Sequence, residues 1–468
     1  MKKILIMGAG ISQAPTMRAC KKLGVFSVVV DGSPNAHFIH EADKFILCDI
    51  KDHEAVLKIA EQEKVDGIVC PGTDFPYVAA YVAHKLNLPG INPSVALMCQ
   101  NKYEQRKVLK QGGFFVPPFV SIKNKEEISA VETLNLPIVI KPVDSMAARG
   151  SRVVHNYKEL FAAYIEAVSF SRSKEVIAEE FVEGMEFSID SLSFVGEVHV
   201  CGFADRHFML YPYFIENGHT IPSALDEDTI NYINDEYKKA VKYLGIDLGA
   251  AKGDIKLTSK GIMIGEIAAR ISGGFLSGWT YPLSSGVFPH INLVKLHLGE
   301  PTQSMIEQQL GFSAERVLMS IPGRLKDVIN LEKARKYPGV KLIHLHVRCG
   351  DELNFPSNNA KRCGSVITYD RVREDAIHQA QIASSDIVLR LEARNPLTIK
   401  WMEEENSFRM YSPAKKELDW HDADIARNLQ KIKNITGTPV REIIKAKNFW
   451  DYFYKGGVQG GIFAIDSQ

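Results

Sequence analysis

Residues 249–270 read GAAKGDIKLTSKGIMIGEIAAR, and this stretch constrains the chain more than any other. Gly249 to Leu257 reads as a strand, Gly261 turns the chain, and Ile262 to Ile267 returns as its partner. A hairpin of this length predicts that Asp254 and Glu266 lie side by side. Adjacent carboxylates repel unless a cation sits between them, and oxygen ligands next to phosphates suit Mg²⁺ or Mn²⁺. A salt-bridged strand end accounts for the same pair. Arg270 follows, with Gly273 and Gly274, which offers a guanidinium and a flexible loop to a second anion.

A second stretch, IVIKPVDSMAARGSR over 138–152, delivers Lys141 at the end of an apolar strand. Pro142 ends that strand, and the segment from Ser145 through Arg149 and Gly150 to Ser151 can turn backbone N–H groups toward an anion. Such a stretch suits polyphosphate, although an ordinary hairpin reads the same way. Lys102 opens a helix about 40 residues earlier. Val176 to Phe181 reads as another strand, followed by Val182-Glu183-Gly184-Met185-Glu186. Glu179 to Val182 could meet a purine edge with backbone donors and acceptors, and Glu186 could take ribose hydroxyls. A surface hairpin with an acidic rim is the plainer explanation.

The first 100 residues alternate short apolar strands with helices. Ile4–Met7, Phe26–Val30 and Gly67–Cys70 read as strands, with helices at Ala14–Leu23, His53–Glu63 and Tyr77–Leu86. That alternation predicts a doubly wound parallel sheet. Gly8-Ala9-Gly10 invites a dinucleotide reading, but Gln13 stands where the third glycine of that fingerprint belongs. Asp31 could bind a ribose diol or simply end its strand. The Gly8 turn and the Pro71-Gly72-Thr73-Asp74 turn are expected to line a small-molecule cleft, or to be structural turns.

At 468 residues the chain exceeds one hydrophobic core. Its 56 basic and 56 acidic residues cancel, so no long-range field argues for nucleic acid or an anionic membrane. Seven cysteines without metal-ligand spacing are compatible with a reducing cytoplasm, the expected location. No apolar run approaches 18 residues, which predicts no transmembrane helix.

Taken in order, Lys102, Lys141 with its loop, Glu179 to Val182, Glu186, then Asp254, Glu266 and Arg270 resemble the ATP-grasp superfamily. The sheet domain ahead of them resembles that of carbamoyl-phosphate synthetase and purine-pathway members. The resemblance extends over about residues 1–390 and implies an α/β plus α+β chain, with three parts in that stretch. A preceding α/β domain covers 1–100 and an ATP-grasp region 101–311, with a lid subdomain near 120–183 and a catalytic sheet near 184–311. A ligase-like C-terminal lid domain covers 312–395, with strands at Val317–Ile321, Val340–Val347 and Ser365–Tyr369 and a helix at Arg373–Ser384. Residues 400–468 depart from the usual ending, and the helix pattern at Asp422–Ile435 with the aromatic cluster Phe449–Tyr454 reads as a small helical appendage over 396–468.

The same resemblance implies ATP and Mg²⁺ as cofactors. Lys102 and Lys141 would bind phosphates under a mobile loop at 144–152, which includes Ser145, Arg149, Gly150 and Ser151. Glu179, Glu180 and Val182 would meet adenine, Glu186 the ribose, and Asp254 and Glu266 the metal. Arg270 would stabilise an acyl-phosphate; Arg270, Lys141 and Glu266 form the expected catalytic set. Two positions depart from the usual pattern: Ala268 replaces a metal-strand asparagine, and Ala147 replaces a loop glycine.

Substrate contacts are expected from His207, Gly273, Gly274 and Trp279, although His207 equally suits a structural role and Trp279 with Tyr281 the core. The leading expectation is a carboxylate-amine ligase joining an amino acid to an amine, with small-molecule substrates, a homodimer, and a separate carrier or glutaminase subunit as further partners. The alternatives are a purine-pathway ligase acting on a phosphoribosyl substrate and a non-catalytic nucleotide-binding protein.

Overall fold

The N-terminal elements run β1 (Lys3–Met7), α1 (Ala14–Leu23), β2 (Phe26–Asp31), β3 (Lys44–Leu47), α2 (His53–Glu63), β4 (Gly67–Val69), α3 (Pro76–Lys85) and α4 (Pro93–Gln100). Their sheet order is β3-β2-β1-β4, and every pairing is parallel. Ile4, Leu5, Ile6 and Met7 are all fully buried, because crossover helices cover both faces of a parallel sheet. The edge strand β3 escapes the apolar-run reading, since Lys44 and Leu47 are exposed.

The chain continues through α5 (Lys102–Gln111), β5 (Phe119–Ile122), β6 (Ile138–Pro142), β7 (Arg152–Val154), α6 (Leu160–Phe170), β8 (Val176–Glu180), β9 (Met185–Phe194), β10 (Glu197–Met209), β11 (Ile215–Ile221), α7 (Glu227–Tyr243), β12 (Gly249–Thr258) and β13 (Gly261–Ala268). A single π-helical turn at Leu276–Thr280 leads into α8 (Tyr281–Ser285) and α9 (Pro289–His297). β5 and β6 flank β8 in antiparallel pairings. The longer sheet runs β13-β12-β9-β10 through this region. Helix α7 starts where Asp226 accepts from Thr229 N, and it buries Ile233, Tyr237, Ala240 and Val241 at helical spacing.

The remaining elements are β14 (Phe312–Leu318), β15 (Gly323–Ile329), α10 (Leu331–Ala334), β16 (Val340–Leu345), β17 (Glu352–Leu353), β18 (Gly364–Asp370), α11 (Arg373–Asp386), β19 (Val388–Leu391) and α12 (Pro396–Glu403). Here β11, β14, β18 and β16 are neighbours in that order, and β15 lies between β17 and β19. The strand expected at Val317–Ile321 instead occupies Phe312–Leu318. Glu315 and Arg316 are buried within it, so its apolar run starts late in the sequence.

This computed structural model describes residues 1–210, 212–404, and Asp451, Tyr452, Lys455 and Phe463. The appendage expected over 396–468 therefore lies largely outside the described residues. Two compact units make up the chain: 1–146, 155–206 and 219–313 form one, and 147–154, 207–218 and 314–468 the other. The short segment 147–154 joins the second unit through Asn359 N donating to Ala147 O (2.8 Å) and Val153 N to Pro212 O (2.9 Å). Among the described residues no helix is long and apolar enough to cross a membrane.

Candidate active site

The site grows out of strand register. Asp254 on β12 pairs directly with Glu266 on β13, and the register shifts at the next step, where Ile255 pairs with Ile264. Gly265 is thus the extra residue of a β-bulge, and the direct pairing of Asp254 with Glu266 puts both carboxylates on one face. A Cβ on Gly265 would meet Asp254 O at 2.6 Å, so only glycine fits there. On the other side of β12, Lys252, Asp254 and Lys256 pair with Asp190, Ser188 and Glu186 of β9. The alternation of strand side chains gathers these groups into one charged face.

Cations meet the carboxylates across that face. Arg206 lies 2.6 Å from Asp254, and Lys252 also ion-pairs with it. Burial would raise the Asp254 carboxyl, but these cations outweigh it and hold it at about 2. Lys102 donates to Glu266 (3.1 Å) and to Ser145 O (2.8 Å). Burial works against ionised Glu266 as well, and the Lys102 ammonium holds its carboxyl below the ordinary range. Glu186 pairs with Lys256 at 2.7 Å, and Lys256 also donates to Val182 O at 3.1 Å.

Two residues absent from the sequence reading fix Lys102 in place. Asn101 caps α5 by accepting from Tyr103 N and Glu104 N, which sets Lys102 at the first helical position. One turn on, the Gln105 side chain donates to Ile267 O (2.5 Å) and accepts from Ile267 N (2.9 Å). Arg106, buried, donates to Ile264 O (3.2 Å) and Gly265 O, and its Nε donates to Glu179 at 2.6 Å. The backbone beside Glu266 is therefore held by helix α5.

Lys141 pairs with the other Glu179 oxygen. Burial raises the Glu179 carboxyl, yet Arg106 and Lys141 bring it down to about 2. The structure thus places the Glu179 carboxylate in the interior and commits it to two cations. Glu180 accepts from Asn135 N (2.9 Å) and Nδ2 (2.8 Å). Both side chains are thus engaged by groups of the protein, Glu179 by Arg106 and Lys141 and Glu180 by Asn135.

A cavity opens beside Glu266, lined among others by Thr73, Asp74, Lys102, Arg172 and Arg270. Arg172, also missing from the sequence reading, donates to Asp144 O and lies over the Phe75 ring at 5.1 Å. The glycine turns of the first domain pack on the loop after Arg270. Ser12 donates to Gly273 O, and a Cβ on Gly72 would meet Gly273 Cα at 2.8 Å. Gln13 donates to Pro71 O and accepts from Gly10 N at 2.9 Å, which fills the turn where a dinucleotide phosphate would sit. Asp31 accepts from Ala9 N and Ser33 N, both at 2.8 Å, and so closes its own turn.

Trp279 is half-buried in the π-helical turn, with the Arg18 guanidinium 5.0 Å from its ring centre, while Tyr281 is core and donates to Glu307 at 2.8 Å. Gly274 has open space around it. Arg149, Gly150, Ser151 and His207 belong to the second unit; there Ser151 N donates to Ala148 O at 3.1 Å, and Gly150 has a positive φ of 68°.

Comparison with known proteins places this geometry in a class. Residues 99–274 match the model of the ATP-grasp domain, and residues 316–392 that of the L-amino acid ligase C-terminal domain 2. A formate-dependent phosphoribosylglycinamide formyltransferase of Sulfurisphaera tokodaii is 25% identical over 413 residues, covering 83% of this chain and 97% of that protein. The crystal structure of L-amino acid ligase from Bacillus licheniformis aligns with a TM-score of 0.73 at 21% identity, covering 84% of this chain and 99% of that one. Phosphoribosylglycinamide synthetase from Anaerococcus prevotii aligns with a TM-score of 0.65 at 22% identity, over 84% and 100%.

Residues 99–274 thus belong to the ATP-grasp superfamily. Within it, the chain is a carboxylate-amine ligase, forming a C–N bond with release of ADP, and its cofactors are ATP and Mg²⁺. The donor set fits the ion. Among the described residues no three metal-binding side chains converge, and one or two carboxylates completed by substrate phosphates are what Mg²⁺ usually takes.

Proposed function

We propose that this ligase activates the carboxylate of an amino acid and joins it to an amine. One observation carries the reading: the cavity beside Glu266 presents Arg172 and Arg270 together with Asp74, charges of both signs in one chamber. An α-amino acid carries both signs as well. The match of 316–392 to the L-amino acid ligase C-terminal domain 2 supports the same class.

The groups take up roles in sequence. Asp254 and Glu266 would hold Mg²⁺, which when bound draws charge from the γ-phosphoryl oxygens. Lys102 and Lys141 offer ammonium groups to the phosphates, and the backbone at 180–182 takes the base. The substrate carboxylate oxygen attacks the γ-phosphorus, the bond to the bridging oxygen breaks, and ADP leaves. Arg270 holds the resulting acyl-phosphate. The amine nitrogen then attacks the acyl carbon, phosphate departs with the electron pair of the C–O bond, and the nitrogen loses a proton.

A phosphoribosyl substrate is the second reading, and the polar groups of the Gly10–Gln13 turn argue against it. Ser12 and Gln13 are engaged with Gly273 O, Pro71 O and Gly10 N, and Arg18 makes a two-point pair with Glu41 at 2.8 and 2.6 Å. The test is ADP release across a panel of amino acids with amine acceptors and with phosphoribosyl amines. Stimulation by amino acids is the expected result. If none stimulates release and Glu266→Ala leaves turnover intact, the proposal fails.

A further inference from the structure

Beneath the loop that follows Arg270 lies a carboxylate that the mechanism above does not use. Asp190 on β9 is completely buried, a costly position for an acidic group. Its Oδ1 accepts from Ser272 N at 3.0 Å, while Oδ2 has no hydrogen-bond partner. Ser272 is two residues beyond Arg270.

The same loop is gripped from other sides. Ser272 Oγ lies 3.3 Å from Ser277 Oγ, which lies 3.3 Å from His290 Nε2; His290 Nδ1 in turn meets Thr16 Oγ1 at 2.8 Å. Ser12 takes the Gly273 carbonyl. Of these contacts, only the one from Asp190 ties the loop to the strand layer that carries Asp254. Lys252 is its register partner, so Asp190 and the metal strand are fixed relative to one another. Burial pushes the Asp190 carboxyl up to about 6 against the pull of Ser272, Lys252 and Arg270.

We infer that Asp190 is a positioning residue that sets Arg270 over the reacting phosphoryl group by holding the Ser272 amide. The inference rests on the proposed role of Arg270. A displacement on the order of 1 Å in such a group lowers turnover about a hundredfold. Asp190→Ala is expected to lower kcat by about that factor and to leave the KM for ATP within about twofold. Asp190→Asn retains an oxygen for the Ser272 N–H and is expected to keep kcat within about tenfold of the wild type.

The decisive measurement is a double-mutant cycle of Asp190→Ala with Arg270→Ala on the full chain, read as ADP release coupled to product formation. If Asp190 acts through Arg270, its loss adds less than about threefold once Arg270 is gone. Multiplying effects would overturn the inference, as would wild-type kcat in Asp190→Ala or equal impairment in Asp190→Asn. Wild-type kcat in Arg270→Ala would instead remove the role proposed for Arg270 itself. Should Asp190→Ala fail to fold, amide exchange of Ser272 in the wild type carries the test: slow exchange supports the contact, and exchange at the rate of an open loop refutes it.

Discussion

Gln105 and Ile267 exchange two hydrogen bonds across 162 residues of sequence, so that a helical side chain pairs with a strand backbone as another strand would. The pair sits between Lys102, three residues earlier on α5, and Glu266, one residue earlier on β13. It therefore sets the distance between the Lys102 ammonium and the Glu266 carboxylate.

Gln105→Ala leaves a buried N–H and a buried C=O of Ile267 without partners. The expected loss of stability is about 3 kcal/mol, from roughly 1–3 kcal/mol for each such group. Urea denaturation monitored by circular dichroism measures it. Because Lys102 loses its support, the KM for ATP is also expected to rise severalfold in the variant.

Glu179 joins Arg106 to Lys141, and Glu179→Gln strands two buried cations. A loss of about 3–5 kcal/mol follows. The pH dependence has a definite sign. The native carboxyl lies near 2, below its ordinary value of 4.5, so its contribution is complete above about 4.5 and disappears as pH falls through about 2. Urea midpoints between pH 7 and pH 3 should fall more steeply in the wild type than in Glu179→Gln. Parallel slopes would show that the carboxylate titrates normally.

Metal removal tests the Asp254 and Glu266 pair. Chelation by EDTA is expected to stop ADP release and added Mn²⁺ to restore it, with the bound ion visible by electron paramagnetic resonance in the presence of ATP. Asp254→Asn and Glu266→Gln are each expected to weaken that signal and to lower kcat by at least about a hundredfold, the scale on which charge stabilisation acts. An unchanged signal in both variants would place the metal elsewhere.

Ala147 and Ala148 hold φ angles of 58° and 56°, a left-handed pair that L-residues with a Cβ adopt at a cost of roughly 1–2 kcal/mol each. Glycine relieves that strain and gives back about 0.5–1 kcal/mol in chain entropy. Ala147→Gly is thus expected to stabilise the protein by about 0.5 kcal/mol, small but measurable as a raised thermal midpoint. A lowered midpoint would mean that the methyl group packs better than the backbone is strained.

What could be read from the sequence follows from how far apart the partners lie along the chain. Asp254 and Glu266 are joined by one turn, so their pairing follows from local pattern, and helix α2 begins and ends at His53 and Glu63 as its composition predicts. The bulge at Gly265 was not legible, because it depends on how β13 meets its neighbour. Gln105, Arg106 and Arg172 look like ordinary surface residues of helices or loops until the fold brings distant carbonyls to them. Asp190, within the alternating EFSIDSLSF of β9, has the spacing of a solvent-facing position, yet its face of the sheet is covered.

The charged face has a consequence for how nucleotide enters. Three carboxylates on it already have a counter-ion from the protein: Arg206 and Lys252 on Asp254, Lys102 on Glu266, Lys256 on Glu186. With Asp254 and Glu266 holding the ion as proposed, arrival of a metal and a triphosphate would be a change of partners, in which their ammonium and guanidinium counter-ions would pass to phosphate oxygens. Neither set of charges has to be assembled from water. Affinity for the nucleotide should therefore depend more on the simultaneous presence of the ion than on ionic strength.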